Sequence, residues 1–415
     1  MEKQCVCLLI VLFLSLIPGK AQVLQLEDYV RIAKTHSPQL REYRNTLLAN
    51  YIDSQKIRAG YKPQVALTSI NSYAPSLPNF GYDASVTNGG QYSTLIGASK
   101  TFVGRENLNS QFRAIQLASD SLRNASLIAE QELTRSVTAQ YLITYGDQQQ
   151  LLANEEINHL LGNEGSILKS LTQNNIYRQT DYLTFLVTQK QQDLQLKQLR
   201  IQYQTDFATL NYLCGILDTA AFGKQLSLPQ MEVQLYTNSL SSAFFRRYAL
   251  DSFNLQNEMK LVNLAYRPKL GVFADAGYNT SQLNTFYNNF GVSGGFSINL
   301  PIYDGGRRQL SLKKISLQED TRQAYQAFFI QQYNQQIAGL LQQLNATEAL
   351  LSDIEAQITY SKGLIDVNEK LLQTGDARIA DFVIAINNYL NAKTLSTQNR
   401  ISRLQIINQV NYWNR

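Results

Sequence analysis

Tyr61-Lys62-Pro63 opens an alternating apolar segment, and Tyr266-Arg267-Pro268 opens another 205 residues later. Phe102-Val103-Gly104-Arg105-Glu106-Asn107-Leu108 closes a second such segment, and Tyr303-Asp304-Gly305-Gly306-Arg307-Arg308-Gln309-Leu310 closes a fourth. Asp181-Tyr182-Leu183 is echoed by Asp381-Phe382-Val383, and Asn211-Tyr212-Leu213 by Asn411-Tyr412-Trp413, both at an offset of 200. Four landmarks in one order describe a single unit written twice: helix, strand, strand, very long helix, helix. That internal two-fold repeat constrains the fold more than any other feature of the chain. The first copy is expected over 22–230, with strands at about 62–73 and 91–103 and helices at about 105–174 and 179–214. The second is expected over 231–415, with strands at about 268–279 and 290–303 and helices at about 306–374 and 379–413.

The prolines agree with that layout. They sit at 18, 38, 63, 75, 78, 229, 268 and 301, so 79–228 and 302–415 are open to uninterrupted helix. Within these stretches apolar residues recur three and four apart, as in Leu108, Phe112, Ile115 and in Leu133, Val137, Tyr141, Tyr145. The stripe is narrow, as in a coiled coil. Helices of this size would each run roughly 100 Å at about 1.5 Å per residue.

The strands point to a membrane. In the fourth, Phe290, Val292, Gly294, Phe296, Ile298, Leu300 and Ile302 share one face, while Gly291, Ser293, Gly295, Ser297 and Asn299 share the other. In the third, Leu270, Val272, Ala274, Ala276 and Tyr278 oppose Gly271, Phe273, Asp275 and Gly277. Strands of about ten residues that are apolar on one side suit an outer-membrane barrel or an antiparallel sheet on a soluble core, and export, the small number of strands and the very long helices favour the barrel. Four strands cannot close a barrel, and an open edge cannot sit in lipid. Subunits must therefore pool strands: two copies would supply the minimum of about eight, and three would supply twelve, wide enough to hold a pore.

At the start of the chain, Lys3, the apolar run from Cys5 to Ile17 and Pro18-Gly19-Lys20-Ala21 read as a secretory signal over 1–21, too short to span a bilayer. Cys5 and Cys7 fall inside it, which leaves Cys214 alone, without an intramolecular disulfide. Removing Glu2, Lys3 and Lys20 lowers the formal charge from +5 to +4, spread over the chain with no basic tract, which argues against nucleic acid as a partner. His36 and His159 have no metal-ligand spacing around them, and no phosphate loop, nucleophile elbow or acid–base pair occurs. Neither catalysis, a cofactor nor a resident metal is expected.

Three segments carry a family resemblance. "LQLEDYVRIAKTHSPQLREYRNTLLANYIDSQKIRAGYKPQV" resembles the first helix of the TolC-like outer-membrane efflux and secretion channels, with its exit into the first strand. "LPIYDGGRRQLSLKKI" is similar to that family's strand-to-helix junction, and "TGDARIADFVIAINNYLNAK" matches a third segment in part, with Ile384 where many relatives are polar. The resemblance implies a homotrimer with a twelve-strand barrel in the outer membrane and a periplasmic α-barrel. It further implies a periplasmic adaptor (membrane fusion protein) and an inner-membrane transporter as partners. The other class consistent with this pattern is a periplasmic coiled-coil adaptor without a pore, although such a chain usually carries one helical hairpin rather than two complete units.

Two groups of residues stand out as candidate sites. Asp181 and Asp381 follow Arg178 and Arg378 at equivalent places where each long helix should turn back. In a trimer their carboxylates would form rings able to select cations and hold a constriction. The same spacing also suits helix capping or a match to the helix dipole. At the junction, Pro301 interrupts pairing, Asp304, Gly305 and Gly306 turn the chain, and Arg307 starts a helix, as Gly104 and Arg105 do in the first copy. The arginines read either as contacts to phosphates at the inner face of the outer membrane or as a solvated basic cap. Asp275 reads as a residue lining a barrel lumen or its water-filled end.

Overall fold

The structure is a computed structural model that describes residues 25–74, 76–77, 80–81, 90–217, 225–234 and 242–414. The signal read over 1–21 lies outside the described residues. The fold is mainly α with a small antiparallel sheet. In chain order the elements are α1 Leu26–His36, α2 Pro38–Gly60, β1 Gln64–Tyr73, β2 Gly90–Phe102, α3 Arg105–Gln173 and α4 Gln179–Cys214. There follow α5 Ala243–Ala265, β3 Lys269–Thr280, β4 Phe290–Asn299, α6 Arg307–Thr374 and α7 Ile379–Trp413. A short hairpin pairs Ser76–Leu77 with Phe80–Gly81, and a 3-10 turn, Leu283–Asn288, lies between β3 and β4.

Prolines set the strand starts. Pro63 and Pro268 each stand one residue before a strand, and the helices α2 and α5 stop three residues earlier. A proline disfavours the α region at the residue before it, so neither helix can run into the strand that follows. Without prolines, α3 and α6 reach 69 and 68 residues.

The chain divides into two compact units. One comprises residues 41–127 and 243–329 and holds the sheet, in the order β1-β2-β3-β4 with every neighbour antiparallel. Register sorts its side chains into two chemically distinct faces, because residues directly opposite point the same way. Leu67, Ile96, Ala276 and Val292 form one row across all four strands, and Phe102, Leu270 and Ile298 form another on the same face. The reverse face carries rows such as Ala66, Gly97, Asp275 and Ser293. The alternation of β4 continues to Ile302, but its ladder ends with Asn299 opposite Lys269, since Pro301 has no N–H to offer.

In the same unit α5 is bound on two sides. Asn257 Nδ2 donates to the Ser110 carbonyl at 3.0 Å, and Asn124 Nδ2 donates to the Ala243 carbonyl at 2.8 Å. Toward α6, Arg322 pairs with Glu319 at 2.8 Å and donates to the Tyr248 carbonyl, while Phe329 lies 5.3 Å from Phe245, ring to ring.

The other unit, drawn from 1–40, 128–242 and 330–415, is helical and has three apolar clusters in place of one broad core. Tyr29, Val137, Tyr141, Phe207 and Cys214 join α1, α3 and α4. Leu142, Leu344, Leu404 and Val410 join α3, α6 and α7. The third cluster, around Leu161, Phe185, Leu372 and Phe382, draws on α3, α4, α6 and α7. Polar residues interrupt the stripes in pairs: Gln192 donates to Asn154 at 2.7 Å, both buried.

Candidate functional site

The turns between α3 and α4 and between α6 and α7 are built alike. Asn175 and Gly375 each take the left-handed conformation, with φ of 62° and 83°. The N–H of Ile176 reaches the Leu171 carbonyl at 3.0 Å, and the N–H of Asp376 reaches the Leu371 carbonyl at 2.9 Å. Together with the bonds from Asn175 to Thr172 and from Gly375 to Leu372, these form the same C-terminal cap twice, offset by 200 residues. Asparagine and glycine are the residues that adopt this conformation most readily.

Each turn then leads into a helix whose third residue is acidic. Arg178 and Arg378 occupy the N-cap positions in extended backbone conformation, and their carbonyls accept the N–H of Asp181 and Asp381 at 3.1 Å. All four side chains are exposed. Among the described residues, no ion pair joins Arg178 to Asp181 or Arg378 to Asp381. The carboxylates therefore stand in the first helical turn, where the N-terminal dipole favours them, and remain open to a neighbour. Ile384, three residues beyond Asp381, is exposed as well.

Tyr177 binds the two turns together. Its hydroxyl donates to the carbonyls of Ala377 at 2.9 Å and of Leu372 at 3.2 Å. Partial burial and the Asp376 carboxylate raise the Tyr177 phenol above its ordinary value. A short distance along the same cluster, Glu164 of α3 is almost fully buried, and among the described residues its Oε2 has no hydrogen-bond partner. Burial, and secondarily the charge of Glu369 on α6, push its carboxyl up from the usual carboxylate range.

A second acid, half-buried, links α3 and α4. Asp147 is pushed up to about 7 by burial first, then by its hydrogen bond to Asp206 and by the Asp206 charge. Among the described residues its buried Oδ2 meets no hydrogen-bond donor, which fits a carboxyl that keeps its proton. Asp206 accepts from Gln140 Nε2 at 3.1 Å and from Gln202 Nε2 at 2.5 Å. Periodicity flagged none of Tyr177, Glu164 and Asp147, since each differs from its partner position in the other copy.

The junction before α6 is a compact turn. Asp304 Oδ1 accepts from the Gly306 N–H at 2.9 Å and Oδ2 from the Arg308 N–H at 2.7 Å, so one carboxylate caps the new helix twice. The Tyr266 hydroxyl and these backbone donors hold the Asp304 carboxyl below its usual range. Gly305 and Gly306 have φ of 66° and 83°. Arg308 reaches Asn263 Oδ1 at 2.8 Å and lies over the Tyr266 ring, whereas Arg307 and Pro301 are exposed. In the first copy α3 starts at Arg105, and the Gly104 carbonyl accepts the N–H of Asn107 at 2.9 Å.

On the sheet, the exposed apolar face carries Leu67 at 68%, Val292 at 79% and Phe296 at 73% of full exposure. An isolated soluble domain would not leave such a face bare. β1 and β4, the outer strands, each pair on one side only among the described residues. Aromatic rings gather at one end of the sheet, where Tyr278 stacks on Phe286 at 5.1 Å and meets Phe290 at 5.4 Å.

Solved structures share this arrangement over nearly the whole chain. A membrane protein from Pseudomonas aeruginosa matches with a TM-score of 0.77 and 14% identity, covering 94% of this chain and 90% of its own. The outer membrane protein VceC from Vibrio cholerae matches at 0.74 and 14%, covering 94% and 96%, and the CmeC outer membrane channel of Campylobacter jejuni at 0.75 and 13%, covering 94% and 85%. The fold is that of the TolC-like outer-membrane channels. No protein-family model and no curated protein matches the sequence. At these identities the TolC-like likeness concerns the path of the backbone, so the chemistry of the two turns and of the junction has to be argued from this chain's own residues.

Proposed function

We propose that this chain is the protomer of a homotrimeric outer-membrane channel, the exit duct of a tripartite efflux or type I secretion system. The observation that carries the reading is a four-stranded sheet with one exposed apolar face and, among the described residues, two open edges. Lipid satisfies the face, and pairing β1 of one copy with β4 of the next satisfies the edges and closes a twelve-strand barrel. The helices extend into the periplasm as an α-barrel. The repeats over 22–230 and 231–415 then supply two equivalent hairpins per protomer.

In this reading conduction is passive. An inner-membrane transporter supplies energy and substrate choice through a periplasmic adaptor. Asp181 and Asp381, with Arg178 and Arg378, form the gate at the ends of the hairpins, where three copies bring carboxylates into rings. Arg307 and Arg105, at the starts of α6 and α3, meet lipid phosphates at the inner face of the outer membrane, and the aromatic cluster around Tyr278 marks the opposite interface.

The test is the native mass of the protein extracted from the outer-membrane fraction in mild detergent. Three protomers per particle, with conductance after transfer to a planar bilayer, are expected. A soluble monomer or dimer in the periplasm would overturn the channel reading and favour a coiled-coil adaptor.

A further inference from the structure

The four strands contain only three charged residues, Lys100, Lys269 and Asp275. Lys100 lies on the apolar face, two residues from the strand end, with its ammonium 5.0 Å from the Phe102 ring centre, as a cation reaching toward an interface would. Lys269 is the first residue of β3. Asp275 alone sits in mid-strand, on the face of small and polar residues.

Its surroundings leave room for a hydrated carboxylate. Gly97 stands directly across on β2, and a Cβ there would lie 2.5 Å from Asp275 Oδ1, so the carboxylate occupies the space that glycine leaves open. Ser293 stands across on β4, with its Oγ 3.5 Å from Asp275 Oδ2. Among the described residues no cation pairs with Asp275, and the nearest on that face of β3, Lys269, is about 20 Å away at about 3.3 Å per residue. An unpaired charge in mid-strand is tolerable only where water reaches it.

We infer that Asp275 sets a cation preference in the strand-lined lumen of the channel. The inference rests on the trimeric channel reading, in which three-fold symmetry repeats the residue at one level and forms a ring of three carboxylates. Such a ring enriches cations and depletes anions over a Debye length, about 10 Å at 0.1 M salt and about 3 Å at 1 M. It acts separately from the carboxylates of the helix turns.

The experiment measures reversal potentials in planar bilayers under a potassium chloride gradient. For Asp275→Asn the potassium-to-chloride permeability ratio should fall at least twofold at 0.1 M, and the difference should fade at 1 M. Asp275→Cys allows the charge to be put back. An anionic methanethiosulfonate should restore the ratio and a cationic one should lower it further; the native Cys214 is fully buried and does not compete. A wild-type channel that conducts while Asp275→Asn leaves its ratio unchanged, or a cysteine that reacts with neither reagent, would overturn the inference and leave the channel reading intact. A wild-type protein with no conductance would overturn both.

Discussion

Tyr177 donates its phenolic hydrogen to the carbonyl of Ala377 at 2.9 Å, across two helix turns in which these residues hold the same place 200 positions apart. The contact is asymmetric by necessity, because alanine has nothing to return. It ties the first hairpin to the second at the point where a gate would have to separate them. Tyr177→Phe removes the donor and keeps the ring, and should cost about 1 kcal/mol of stability. In single-channel records the variant should open more often than wild type. Equal open probability would confine Tyr177 to a structural role.

Asp381 presents an exposed carboxylate in the first turn of α7, and among the described residues no arginine pairs with it, so either a ring of like charges or the helix dipole is its partner. Asp381→Lys should change ion selectivity or gating by severalfold. It should lower stability by no more than about 1 kcal/mol, the scale of a charge against a helix N-terminus. Loss of stability with unchanged conductance would assign the residue to capping.

Gly305 has a left-handed backbone with open space around the position of a Cβ, so any cost of substitution comes from the backbone alone. Gly305→Val should cost about 2 kcal/mol or more, because a β-branched residue resists positive φ. Pro301→Ala, at an exposed position beyond the last ladder pair, should cost well under that. The yields of folded, detergent-stable oligomer compare the two, and equal yields would contradict the account of the junction.

The strands and the long helices were legible because their constraints are local. Alternation in β3 and β4 reflects a sheet with chemically different sides, and the absence of proline in 302–415 leaves α6 and α7 uninterrupted apart from the turn at Gly375. The end of β4 was less legible, since Leu300 and Ile302 keep the period after pairing has stopped. Hardest to read were the polar residues inside the bundle. Asn154, Glu164 and Gln192 look like surface positions of a narrow-stripe helix, yet all three are buried, because helices packed this closely also enclose the flanks of each stripe. Which partner such a residue meets depends on the stagger between helices, a long-range quantity that no single stripe encodes. The aspartates at 181 and 381 could be placed by their repeat, while their role depends on copies of the chain that the sequence does not describe.

Asp147 makes stability depend on pH in a direction opposite to that of a salt-bridged acid. Its folded value, about 7, lies above the 3.8 of an ordinary aspartate, so the folded protein holds a proton that the unfolded chain releases. The stabilisation is complete below about pH 4, is lost progressively as pH rises to about 7, and is absent above that. Asp147→Asn keeps a hydrogen-bond donor for Asp206 and removes the titration. The variant should therefore be more stable than wild type at pH 8, on the order of 1–2 kcal/mol after allowing for the solvent that reaches the half-buried pair, and should lose that advantage at pH 4. Thermal unfolding midpoints at the two pH values provide the check. A constant difference between the two proteins would mean that Asp147 does not titrate in this interval, and that its orphaned oxygen is satisfied by something other than a shared proton.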